Sequence, residues 1–217
     1  MTDFKFLHRP SINKDKKSPA FILLHGYGSN ETDLYAFADY LPSTFHIFSL
    51  RAPQSLEWGG FAWYDIFLDS RQNKISDDLT AMQRVLDLSN FTKKLIAEYH
   101  LDENNINLLG FSQGAILSYA LALNYPGQYR KIIALSGYIN ENIMPVNEDF
   151  SRYKNLDFFV SHGLYDDIIP IELARKISPY LQERNIKHLY KEYAMGHEVN
   201  NECFNDFIAW LDSFSSN

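Results

Sequence analysis

Leu108-Leu109-Gly110-Phe111-Ser112-Gln113-Gly114 joins a short apolar run, a Gly-x-Ser-x-Gly pentapeptide and a helix-like segment without a break. Residues 105–109 read as a buried strand, and residues 114–125 as a helix that stops at Pro126-Gly127. That helix is apolar all round and rich in small residues, among them Gly114, Ala115, Ser118, Ala120 and Ala122, as suits one packed tightly on a sheet. A serine at the tip of such a strand-to-helix turn is held in a strained backbone conformation, and Gly110 and Gly114 clear the space beside it. Ser112 is therefore the candidate nucleophile. The same turn aims the backbone N–H of Gln113 toward the point where negative charge would develop on an attacked carbonyl oxygen. The pentapeptide alone arises by chance in about one chain in fifteen of this length, so its flanking strand and helix carry the reading.

Upstream, residues 4–8 read as an edge strand and residues 20–24 as a strand covered on both faces. The second stops at His25-Gly26-Tyr27-Gly28-Ser29-Asn30, whose glycines let the backbone bend close to a neighbour. The segment reads as the second half of an oxyanion hole with the Tyr27 N–H as donor, and also as a turn into the next helix capped by Ser29 or Asn30. His25, at a rigid strand end, reads as a structural histidine and not as a base. A helix over 31–41 carries Leu34, Phe37 and Leu41 on one side, and a strand follows over 45–50. From 51 to 75 periodicity fails, and Trp58, Phe61, Trp63, Tyr64 and Phe67 stand among glycines and a proline. This aromatic loop reads equally as a substrate wall or a satellite core, with Trp58, Phe61 and Trp63 as the candidate substrate contacts. Ser76-Asp77-Asp78 caps a helix whose stripe runs through Leu79, Met82 and Leu86 to Phe91, Leu95 and Tyr99.

Downstream come a strand over 131–135, an irregular surface loop over 138–155 and a strand over 156–161. A helix over 171–183 with an unexpected Pro179 follows, then a strand over 187–193 and a closing helix lined by Phe204, Phe207, Ile208 and Leu211. Strand and helix alternate almost throughout, which predicts an α/β fold with a mainly parallel central sheet and helices on both faces. In such a sheet functional groups collect at the carboxyl ends of the strands. Three strand ends carry Ser112, His162-Gly163-Leu164-Tyr165-Asp166-Asp167 and Gly196-His197. A serine hydroxyl needs an imidazole to take its proton, and the imidazole needs a carboxylate to fix its tautomer. His197 is the candidate base and His162 a strand-end structural residue. Spacing leaves Asp166 and Asp167 open, since adjacent side chains in an extended loop point different ways.

A chain of 217 residues, 46% hydrophobic and 22% charged, suits one α/β domain over 1–217. Twenty basic against 27 acidic residues give a net charge of −7, and the longest basic cluster is the short 14–17 stretch, so a nucleic-acid partner is not expected. Cys203 is the only cysteine, which excludes an intramolecular disulfide and a cysteine-based metal site and fits a reducing compartment. The seven histidines show no helical His-x-x-x-His spacing, so no metal is expected. Residues 1–17 carry charges and no apolar core, and no apolar stretch approaches 18 residues, which predicts a mature, cytoplasmic chain with no stable membrane insertion. The oligomeric state is left open.

Taken together, His25-Gly26-x-Gly28, Trp63-Tyr64-Asp65-Ile66, Gly110-Phe111-Ser112-Gln113-Gly114, His162-Gly163-x-x-Asp166-x-Ile168-Ile169-Pro170 and Gly196-His197 resemble the phospholipase/carboxylesterase family, which contains acyl-protein thioesterases and bacterial carboxylesterases. The resemblance runs from about residue 19 to the C-terminus. It implies an α/β-hydrolase fold without a large lid domain, no cofactor, and a small-molecule or lipid ester as substrate. Carried over residue by residue, it implies Ser112 as nucleophile, Asp166 as acid, His197 as base, and the backbone amides of Tyr27 and Gln113 as the oxyanion hole. The chain has Gly114-Ala115 where the thioesterases usually carry two glycines, and a shorter, more aromatic loop between Arg51 and Trp63. Both departures favour a carboxylesterase over the alternatives of a long-chain lysophospholipase or acyl-protein thioesterase. The rival of another class is a binding protein that keeps the scaffold without the catalysis.

Overall fold

Apolar runs bounded by glycine, proline and polar turns become the strands, and the longer amphipathic stretches between them become the helices. The computed structural model describes residues 3–13, 16–68, 74–146 and 149–213. In chain order the strands are β1 (Phe6–Arg9), β2 (Ser18–Leu24), β3 (His46–Leu50), β4 (Gln54–Ser55), β5 (Phe61–Ala62), β6 (Ile66–Leu68), β7 (Lys74–Ser76), β8 (Leu101–Phe111), β9 (Lys131–Leu135), β10 (Asp157–Gly163) and β11 (Lys187–Tyr193). The α-helices are α1 (Asp78–Glu98), α2 (Gln113–Asn124), α3 (Ile171–Ala174), α4 (Ile177–Glu183) and α5 (Asn201–Asp212). Seven strands form one sheet in the order β1-β3-β2-β8-β9-β10-β11, parallel throughout except for the antiparallel edge strand β1.

Because successive strand side chains point to opposite faces, each central strand feeds two cores. Ile22 and Leu24 of β2 join Leu108, Ile132 and Phe158 on the face covered by α1, α2 and α4. Phe21 and Leu23 join Leu109, Ile133 and Phe159 on the face covered by α5 and the 34–41 segment. No described helix is long and apolar enough to cross a membrane.

Several local expectations change in the tertiary context. The stripe Leu79, Met82 and Leu86 was expected to face the core, yet these residues are 86%, 40% and 44% exposed. α1 instead buries Ala81, Val85, Leu88, Phe91, Thr92 and Leu95. Both stripes have helical spacing, and packing against the rest of the fold buries the second. The expected helix over 31–41 is a 3-10 turn, Leu34–Tyr40. The Arg9 guanidinium gathers carbonyls at its end, bonding those of Ala38, Leu41, Pro42 and Phe45. The expected helix over 171–183 is broken into α3 and α4, because Pro179 has no N–H to give to the carbonyl of Arg175 and its ring crowds that group. The loop over 51–75 contains two small antiparallel hairpins, β4–β5 and β6–β7. The 138–155 loop carries two 3-10 turns, Glu141–Ile143 and Phe150–Tyr153, that bury Ile143, Met144 and Tyr153.

Candidate active site

β2 and β8 are neighbours at the centre of the sheet, but the next strand beyond β2 is β3 on one side and the next beyond β8 is β9 on the other. Loops leaving their carboxyl ends diverge and open a crevice at this reversal of strand order. Residues 25–30 leave β2 at that point, and Ser112 leaves β8.

Ser112 has φ 53° and ψ −116°, a backbone conformation that non-glycine residues rarely adopt. Its surroundings hold it there. The Ser112 N–H donates to the Leu135 carbonyl at 2.9 Å, and its carbonyl accepts from Ala115 and Ile116 at 2.9 and 3.1 Å. A Cβ at Gly114 would stand 1.9 Å from the Leu24 carbonyl oxygen, so only glycine lets α2 begin this close to the end of β2. A Cβ at Gly26 would stand 3.3 Å from the Ser112 Cβ, which measures how closely the β2 loop lies beside the serine.

His197 bridges the serine and a carboxylate, with Nε2 at 2.8 Å from Ser112 Oγ and Nδ1 at 2.7 Å from Asp166 Oδ2. Asp166 and His197 follow the adjacent parallel strands β10 and β11. Their loops close on each other at Gly163, where a Cβ would meet the Gly196 carbonyl at 2.2 Å. The Asp166 side chain is fully buried, and its Oδ1 accepts from the N–H groups of Ile168 and Ile169 at 3.0 and 2.9 Å. These two bonds turn Oδ2 toward His197, while Asp167 points into solvent. A carboxylate at Nδ1 favours the tautomer that leaves the Nε2 lone pair free to take a proton from Ser112. The His197 ring leans on Phe111 at 5.0 Å between centroids, and its side chain stays 16% exposed, within reach of substrate and water.

Tyr27 lies in the loop that carries Gly26, and Gln113 is the first residue of α2. Among the described residues neither N–H donates to a backbone carbonyl outside the regular elements, and the first N–H groups of a helix point out of it. The Gln113 side chain has a separate task that the sequence did not reveal. Its Oε1 accepts from the Trp63 N–H at 2.9 Å, and its Nε2 donates to the Tyr64 carbonyl at 2.8 Å. A second unforeseen clamp is Arg51, which meets both carboxylate oxygens of the buried Glu31 at 2.5 Å and holds that carboxyl below its usual range. The two are 20 residues apart, and no local pattern marks them as partners.

The three aromatic residues expected at the substrate are not brought together. Trp63 is fully buried, its ring against Phe4 and His25 and its indole N–H on the His25 carbonyl at 2.9 Å. It is a core residue, with no face open to a substrate, because the Gln113 clamp draws its backbone down onto α2. Phe61 is partly covered by the Arg51 guanidinium, 4.4 Å from its ring centre. Trp58 is 73% exposed, with its ring 6.4 Å from that of Tyr27.

His25 is buried with Nδ1 at 2.7 Å from the Gly26 carbonyl and Nε2 at 3.1 Å from the Ala52 N–H, so both ring nitrogens are engaged in structure. Burial lowers its pKa. Burial also pushes the Cys203 thiol up to about 11, and its side chain is closed to solvent.

Comparison with known proteins agrees with this architecture. The phospholipase/carboxylesterase family pattern matches residues 11–215. A probable carboxylesterase of Arabidopsis thaliana, SOBER1-like, is 28% identical over 227 residues, covering 96% of this chain and 86% of the relative. Acyl-protein thioesterase 1 of Saccharomyces cerevisiae is 28% identical over 176 residues, covering 75% of this chain and 76% of the relative. The crystal structure of the Bacillus cereus carboxylesterase superposes with a TM-score of 0.84 at 22% identity, covering 97% of this chain and 94% of that one, a likeness of fold. With its parallel sheet, its serine turn after β8 and a family pattern spanning nearly its whole length, this chain belongs to the phospholipase/carboxylesterase family of α/β-hydrolases, serine hydrolases that act on esters.

Proposed function

We propose that this protein is a serine carboxylesterase that works through an acyl-enzyme on Ser112. The observation that carries the reading is the pair of hydrogen bonds made by His197, 2.8 Å to Ser112 Oγ and 2.7 Å to Asp166 Oδ2. Ser112 Oγ attacks the ester carbonyl carbon as its proton passes to His197 Nε2, and Asp166 stabilises the imidazolium through Nδ1–H. The carbonyl oxygen becomes an oxyanion that accepts from the Tyr27 and Gln113 N–H groups. As the tetrahedral adduct collapses, His197 Nε2–H protonates the departing alkoxide and the alcohol leaves. Water then repeats the sequence on the acyl-enzyme: His197 takes its proton, the hydroxide adds to the acyl carbon, and Ser112 leaves with the proton returned. Acid–base help of this kind contributes about 10²–10⁴-fold.

Trp58 and the Tyr27 ring offer an exposed apolar contact for the ester's acyl or alcohol part. The cytoplasmic setting expected from the sequence stays part of the proposal and is supported by the single cysteine, a buried free thiol. Hydrolysis of p-nitrophenyl esters from acetyl to palmitoyl, beside Ser112→Ala, tests the reading. Activity that depends on Ser112 and peaks at short chains supports it, and activity that survives Ser112→Ala sinks it. The second reading is a long-chain substrate, as for a lysophospholipase or acyl-protein thioesterase. It is favoured by the exposed apolar residues Ile66, Phe67 and Ile75 on the β6–β7 hairpin, which are 37%, 53% and 50% exposed. An optimum at palmitoyl would move it ahead.

A further inference from the structure

We propose that His162 is a positioning residue for Asp166: its ring N–H holds the carbonyl of Ile169, the residue whose own N–H orients the carboxylate on which the base depends. The inference rests on the esterase reading above and goes beyond it. His162 ends β10, is fully buried, and places Nε2 at 2.8 Å from the Ile169 carbonyl and 3.3 Å from Asp166 Oδ2. A carbonyl only accepts, so Nε2 carries the hydrogen. Nδ1 is closed to solvent and has no partner among the described residues. A buried N–H without an acceptor costs about 1–3 kcal/mol, and an imidazolium so placed costs more. The ring is therefore neutral, protonated at Nε2 and bare at Nδ1. In that state Nε2 donates, and the accepting nitrogen, Nδ1, is closed off from substrate and solvent.

The Asp166 carboxylate has four acceptor sites. Two on Oδ1 are taken by the Ile168 and Ile169 N–H groups. On Oδ2, His197 takes one at 2.7 Å, while His162 Nε2 stands 3.3 Å away as a polar contact, its N–H being given to the Ile169 carbonyl. One ring thus holds the carbonyl of the turn that supplies the carboxylate's backbone donors, and stands against the carboxylate itself. Rotation of the Asp166 carboxyl away from His197 would break bonds on both oxygens at once. Without the His162 N–H, the Ile169 carbonyl loses its donor and the turn that orients the carboxylate is less closely set. Misplacement of a catalytic group by even 1 Å can cost about 100-fold in rate.

His162→Gln and His162→Asn separate this role from a merely structural one. A glutamine amide nitrogen reaches the place of Nε2, whereas that of asparagine reaches only the place of Nδ1. In the wild-type protein, long-range proton–nitrogen spectra of the histidine rings are expected to show His162 as the Nε2–H tautomer. An Nδ1–H form or an imidazolium would overturn the proposal. In Ser112-dependent ester hydrolysis His162→Gln is expected to keep kcat within about threefold, and His162→Asn to lose about tenfold or more with KM within about twofold. Equal kcat values for the two variants would overturn it. If the wild-type protein shows no Ser112-dependent hydrolysis, the esterase reading falls, and the low-field Nδ1 proton signal of His197 decides the role of His162. That signal is expected in the wild type and in His162→Gln and is lost in His162→Asn, and its persistence in His162→Asn overturns the proposal. If neither variant folds, the wild-type tautomer decides alone.

Discussion

Gln113 holds Trp63 by its backbone, with the amide oxygen of the glutamine 2.9 Å from the tryptophan N–H and both residues buried. The amide nitrogen of the same side chain donates to the next carbonyl, that of Tyr64, at 2.8 Å. A residue beside the candidate nucleophile thus spends its side chain on fixing a neighbouring segment. Positioning of the 61–64 segment and of the serine turn is one structural event.

Gln113→Leu leaves a buried N–H and a buried carbonyl unpaired, each costing about 1–3 kcal/mol. Denaturant unfolding is expected to show a loss of about 2–4 kcal/mol, with a fall in esterase kcat. A variant as stable as the wild type would mean that the 63–64 backbone finds other partners.

Ser112→Ala and His197→Ala are each expected to lower turnover about 10³-fold or more while leaving the fold intact. Ser112→Gly should be equally inactive yet more stable than Ser112→Ala by about 1 kcal/mol, because glycine adopts φ 53° without strain. Paired melting curves check this, and equal melting temperatures would show that the turn stores no strain.

Trp63→Ala should destabilise by about 3–5 kcal/mol, the cost of emptying a large core site, without a selective change in acyl-length preference. Trp58→Ala should stay within about 0.5 kcal/mol of the wild type, since its ring lies mostly in solvent, and should raise KM for the longer p-nitrophenyl esters. Chain-length profiles of both variants, run with their unfolding curves, distinguish core from contact.

Acidification should weaken the edge of the sheet at β1. His8 stacks on Phe48 with centroids 4.4 Å apart and meets His46 Nδ1 at 2.9 Å. Burial, with a smaller contribution from His46, lowers its pKa from 6.5 to about 4. The His46 pKa is also lowered, by burial and by Arg9. Below pH 6.5 the unfolded chain binds a proton that the folded His8 refuses, so stability is complete above pH 6.5 and is lost as the pH falls toward about 4. The loss is on the order of 1–2 kcal/mol, less than the full shift implies because the pair is only half buried. His8→Phe should keep the stack on Phe48 and flatten the fall in melting temperature between those pH values.

Local rules made much of this protein readable in advance. Short apolar runs at 20–24, 105–109 and 131–135, alternating with helical segments, pointed to a mainly parallel sheet covered on both faces, and Gly110 and Gly114 around Ser112 marked a turn that leaves little room for side chains. The chain order serine, aspartate, histidine followed from which strand ends carried chemistry, with Asp166 and Asp167 both open on that ground. These are properties of a residue and its near neighbours, and they survive without knowledge of the fold.

Where two local answers were equally good, only packing chose. α1 carries two apolar stripes at helical spacing, and contact with the sheet selected Ala81, Val85 and Leu88, leaving Leu79, Met82 and Leu86 outside. Asp166 and Asp167 are chemically the same, and two backbone donors from Ile168 and Ile169 turned the first toward His197. Trp63 read equally as substrate wall or satellite core, and the bond to Gln113, 50 residues away in sequence, holds it in the core. Periodicity and glycine placement act over a few residues and are written in the sequence, whereas the choice between equivalent faces and equivalent carboxylates depends on partners that only the folded chain brings within reach.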